Sequence, residues 1–142
     1  MLKLHKPNIS ILYNSKLKNI KEITGFKEST NEHVDILHGE CELFFEERIV
    51  IHVYFNKITK YLEGVMINSI KLNDNDTIFE SYKRKDKYLN EFYGKPSLKK
   101  KNYIYDIEET NWKNEKFEIS HFIHDRFGDE EGIYFKIIEE QV

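Results

Sequence analysis

Residues 48–56 read RIVIHVYFN. In an extended chain Ile49, Ile51, Val53 and Phe55 fall on one side, and Val50, His52 and Tyr54 on the other, because successive strand side chains point to opposite faces. β-branched and aromatic residues at a period of two mark a strand. One side of this strand is wholly apolar, so it belongs to a sheet that buries one face.

The neighbouring segments extend that sheet. Upstream, Val34, Ile36, Leu43, Phe44 and Phe45 predict one or two strands with a break at Gly39, joined to residues 48–56 by a tight connection at Glu46 and Glu47. Downstream, residues 56–60 predict a turn. Tyr61 to Leu72 then reads as a strand with Leu62, Met66, Ile70 and Leu72 in one phase and Val65 and Ile67 in the other. Near the start, Ile9, Ile11 and Tyr13 alternate as a short edge strand. Ser15 opens a short helix carrying Leu17, Ile20 and Ile23 that stops at Gly25, and residues 26–31 read as a polar loop.

The helix at about 77–93 is the most clearly written element. Thr77 with Glu80 three positions on forms a capping box. Ile78, Tyr82, Lys85, Leu89 and Tyr93 recur along one helical stripe flanked by Phe79, Asp86 and Phe92. Gly94 and Pro96 end it. Beyond it, SLKKKN (97–102) predicts a solvated loop, and Tyr103, Tyr105 and Ile107 a strand. Asn111 to Glu115 reads as a turn carrying Trp112, followed by a strand with Phe117, Ile119, His121 and Ile123. FGDEEG (127–132) predicts another turn before a last strand with Ile133, Phe135 and Ile137. No strand–helix–strand unit repeats, so the expected fold is α+β. It is a mainly antiparallel sheet of about six to seven strands with one main helix, in a single domain spanning residues 1–142.

Composition narrows the function classes. Charged residues make up 33% and hydrophobic residues 39%, which fits a packed globular chain rather than a disordered one. The single cysteine, Cys41, excludes an internal disulfide framework and a cysteine metal cluster. The N-terminal stretch lacks the apolar run and small-residue cleavage site of a signal peptide, and no membrane-length apolar run occurs, so a cytoplasmic location is expected. A net charge of −3 argues against non-specific binding to nucleic acid, Lys99, Lys100 and Lys101 notwithstanding.

Candidate chemistry is sparse. His121 and His124 lie three apart, which on a strand sends them to opposite faces, and His121 shares the phase of Phe117, Ile119 and Ile123. A packed histidine is the expectation there, not a metal ligand. His33, His38 and His52 lie in the same part of the chain as Cys41, but nothing around that thiol activates it. NDNDT (73–77) lacks the glycine and the spaced acid of a calcium loop. No catalytic residue, metal ligand or cofactor is therefore assigned. The acidic residues are more telling. Glu40, Glu42, Glu46 and Glu47, beside Tyr54 and Tyr61, form one candidate partner-binding surface. Asp125, Asp129 and Glu130 form a second. Charge of one sign would speed encounter with a basic protein such as a toxin or nuclease domain.

YLNEFYGKPS (88–97), Trp112 and the ending HDRFGDEEGIYFKI (124–137) resemble small bacterial α+β proteins, some of them immunity proteins that neutralise toxins delivered between bacteria. The resemblance covers the chain from the helix onward, and it implies an intracellular inhibitor that needs no cofactor. Two alternatives remain: a small hydrolase-type enzyme using His52, His121, His124 and a glutamate, and a phage-encoded inhibitor of a host defence protein.

Overall fold

The computed structural model describes residues 1–44, 47–70, 77–102, 107–125 and 129–139. The side chains of residues 102, 107–108, 124–125 and 129 lie outside the description. The expected strand residues Tyr103 and Tyr105, the loop at 73–76, and Phe45 and Glu46 also fall outside it.

The chain forms β1 (Leu2–Leu4), β2 (Ile9–Ile11), α1 (Leu17–Thr24), β3 (Lys27–Thr30), β4 (Val34–Leu43), β5 (Glu47–Asn56) and β6 (Leu62–Ser69). There follow α2 (Ile78–Tyr93), β7 (Leu98–Asn102), β8 (Ile107–Lys113), β9 (Phe117–Asp125) and β10 (Asp129–Ile137). β1 and β2 make a separate two-stranded hairpin, and the other eight strands form one sheet in the order β3-β4-β5-β6-β10-β9-β8-β7. Every pairing is antiparallel. The expected α+β antiparallel architecture therefore holds, with more strands than the six to seven expected.

The topology is two four-stranded meanders. After β6 the chain crosses the sheet through α2 to the far edge, and β7 to β10 then return until β10 pairs with β6. That path lays α2 over β9 and β10. The hairpin lies on the same face against β4, where its turn extends the ladder through backbone bonds between Glu42 and residues 5–6. The covered face carries Leu37, Leu43, Ile49, Ile51, Val53, Phe55, Val65, Ile67, Ile119, Ile133 and Phe135, all buried. Leu2, Leu4, Ile9 and Ile11 of the hairpin and Leu17 and Ile20 of α1 close over this core.

The period-two reading of β5 is met residue by residue, and so is the capped start of α2. Thr77 Oγ1 accepts from the Glu80 amide at 3.1 Å, and Gly94 ends the helix at φ 80°. Other expectations are corrected. β4 runs unbroken through Gly39, because the missing Cβ leaves room for Phe26, whose ring would lie 2.5 Å from it. Residues 27–30 and 98–102 are strands, not loops. As the two edge strands they need only backbone pairing, so they carry no apolar period, and their charge blunts edge-to-edge association. Trp112 lies inside β8 rather than in a turn, held by a bond from Nε1 to the Gly94 carbonyl at 2.9 Å. β10 begins at Asp129, inside the expected turn. The expected Leu62–Met66–Ile70 phase of β6 fails because the register slips opposite Tyr54 and Phe55. After the slip, Val65 and Ile67 face the core and Met66 faces away. Ser15 does not cap α1; its hydroxyl accepts from the Leu12 amide instead.

Candidate functional site

Two regions hold concentrated chemistry, one on each face of the sheet. The first is a polar junction under α2. In the helix, positions three and four apart share a face, so Ser81, Lys85 and Leu89 point at the sheet together with Tyr82. His121 on β9 and Glu131 on β10 point up at them, because both occupy the inward phase of their strands.

Glu131 is the hub. Its Oε1 accepts from Ser81 Oγ at 2.5 Å and from Ser69 Oγ at 2.9 Å, and it lies 3.4 Å from Lys85 Nζ. Its Oε2 lies 2.5 Å from His121 Nε2, and Asp86 Oδ1 lies 2.9 Å from His121 Nδ1. Both ring nitrogens of His121 are therefore engaged by carboxylate oxygens. Tyr82 stacks on that ring with centroids 3.9 Å apart, and its hydroxyl reaches Thr110 and the His121 carbonyl. Lys85 Nζ also donates to Ser81 Oγ at 2.6 Å and lies 3.5 Å from Glu47, which Arg84 engages with two nitrogens. Three acids, Glu47, Asp86 and Glu131, thus lie against Arg84, Lys85 and His121.

Burial alone would push the Glu131 carboxyl up. The His121 hydrogen bond and the charges of Lys85 and His121 outweigh it and hold the group down at about 2. Burial raises the Tyr82 phenol. The Ser81 hydroxyl donates to a carboxylate too weakly basic to activate it, Lys85 donates to Ser81, and both His121 nitrogens are engaged by carboxylates. Among the described residues no cluster of three or more His, Cys, Asp or Glu side chains could hold a metal ion. Burial pushes the Cys41 thiol up to about 12, so it is inert as the sequence suggests.

The second region is the opposite face, over which no described helix or strand packs. Ile36, His38, Val50, His52, Tyr54, Met66 and Tyr134 stand there half-buried. Glycines make it flat. A Cβ on Gly64 would meet Tyr134 Oη at 2.7 Å, and one on Gly132 would meet Phe122 Cζ at 2.8 Å, so those two rings lie across the strands. Burial, and then the charge of His38, lower the His52 imidazole. The rim carries charge of both signs, from Lys27, Arg48, Lys113 and Lys136 to Glu40, Glu118 and Glu130.

The expected partner-binding residues divide between these regions. Glu40, Glu42, Tyr54 and Glu130 all belong to the open face. Arg48 pairs with Glu40 at 3.2 Å, and Lys6 lies 3.8 Å from Glu42, so the first acidic patch is locally neutralised. Glu47 is corrected: it is buried in the junction beneath α2, not displayed. Tyr61 stands at the β5–β6 turn with Lys16 Nζ 4.8 Å from its ring centre. Glu46 and the side chains of Asp125, Asp129 and His124 lie outside the described residues. His121 is fully buried as expected, but in a charged network that the sequence reading did not find. No protein-family model, curated protein or solved structure matches this chain.

Proposed function

We propose that this chain is a protein-binding inhibitor of the immunity type, acting in the cytoplasm, and that its partner docks on the open face of the sheet. The observation that carries the reading is that face itself. A shelf of Tyr54, Met66, Tyr134, Ile36 and Val50 is framed by charges of both signs, which is the anatomy of an interface core and rim. Tyrosine and methionine supply large contact area with few fixed torsions.

The enzyme reading loses ground on geometry. His52 and His121 lie on opposite faces of the sheet, and His121 is locked between two carboxylates. The mixed rim favours orientation by local charge pairs over a single acidic field. Among the described residues, the acidic part of this rim consists of Glu40, Glu42, Glu118 and Glu130 around an aromatic centre.

The test is affinity for the protein that co-purifies with the chain from its native cell. Tyr54→Ala and Tyr134→Ala should each weaken binding at least tenfold, whereas Glu40→Lys should change mainly the association rate. Unchanged affinity in both tyrosine variants overturns the proposal.

A further inference from the structure

Antiparallel register lines up His38, His52 and Met66 as direct neighbours on three adjacent strands, β4, β5 and β6. All three occupy the open face and all are half-buried. The two imidazole rings lie with centroids 5.8 Å apart, tilted by 38°. Among the described residues neither ring has a hydrogen-bond or ion-pair partner, in contrast to His121, whose two nitrogens are both engaged. A metal bound at about 2.0–2.1 Å by one nitrogen from each of two rings sets their centres roughly 5 to 6 Å apart. The observed separation of the ring centres falls within that range.

The donor set selects the metal. Imidazole serves several transition ions, but a thioether is a soft ligand that favours Cu(I) and is poor for zinc. The carboxylates near this row are otherwise occupied: Glu40 pairs with Arg48, and Glu63 accepts from Asn56. The row therefore offers two nitrogens and one sulfur with no acidic ligand. We infer that His38, His52 and Met66 form a binding site for a single cuprous ion at the centre of the open face. The site needs no partner protein, so it stands apart from the inhibitor reading and is tested on the chain alone.

The experiment is competition for Cu(I), kept reduced with ascorbate, between the chain and the chromophoric chelator bicinchoninate. Wild-type protein should withdraw one Cu(I) per chain. His38→Ala and His52→Ala should each weaken this at least tenfold, and so should Met66→Leu, which keeps the volume and removes the sulfur. His33→Ala and Cys41→Ala should bind as wild type does, which separates the site from an exposed histidine and from the lone thiol. Zn2+ titration should be weak and unchanged by Met66→Leu. Unaltered circular dichroism spectra show that the variants fold. The inference is overturned if wild type withdraws no Cu(I), if Met66→Leu or either histidine variant binds as tightly as wild type, or if Cys41→Ala abolishes binding. Tyr54→Ala and Tyr134→Ala should withdraw Cu(I) as wild type does, so failure of the copper site and failure of the docking face give different results.

Discussion

The two halves of the large sheet bury the same face by different means. β4 to β6 present leucine, isoleucine, valine and phenylalanine to the hairpin. β9 and β10 add His121 and Glu131 to that surface, and α2 meets them with Ser81, Lys85 and Asp86. Apolar contact is non-directional and tolerates small slips. Hydrogen-bonded charges in a dry setting do not, because any unmatched group is left desolvated. The first half gives cohesion, and the second fixes the register of α2 on the strands beneath it.

Removing one member of each region should expose that difference. Phe55 is fully buried among apolar neighbours, and Phe55→Ala should cost roughly 3–5 kcal/mol by denaturant unfolding. Lys85→Met should cost a similar amount, about 3–5 kcal/mol, although it adds an apolar group, because Glu47 and Glu131 lose their shared cation. If Lys85→Met is neutral, the junction is not the charged lock described.

Acid should separate the regions further. The folded-state value of Glu131, about 2, lies below its ordinary value of 4.5. The folded protein therefore binds fewer protons there than the unfolded chain, and the contribution is complete above pH 4.5 and is lost as pH falls towards 2. Its size is roughly 3 kcal/mol. Stability against pH should flatten over this window in Glu131→Gln and stay as steep as wild type in Phe55→Ala. A smaller effect belongs to the helix start: Thr77→Ala should cost about 1 kcal/mol, read as a fall in thermal midpoint.

These differences also explain what was legible in the sequence. β5 and the capped α2 were readable because apolar period and capping chemistry are local. β3 and β7 were not, since an edge strand that buries nothing has no apolar period to show. The phase of β6 depended on a register slip against β5, which lies in the pairing and not in the segment. Lys85 was visible on the helical stripe, and Asp86 beside it, but a lysine in that position also reads as solvated. Only the crossover that lays α2 over β9 and β10 reveals its partners, and Glu47 changed from a surface acid to a buried one for the same reason. The open face was half legible. Tyr54 and His52 fell in the polar phase of β5, while Met66 and Tyr134 joined them only through pairing across strands.

Hydroxyl-radical footprinting with and without the co-purifying partner tests the central claim most directly, since tyrosine and methionine side chains report their own exposure. The account predicts protection of Tyr54, Met66 and Tyr134 on binding, with Phe79 and Phe92 of α2 unchanged. Protection confined to α2, with the three sheet residues labelled as in the free chain, would contradict it.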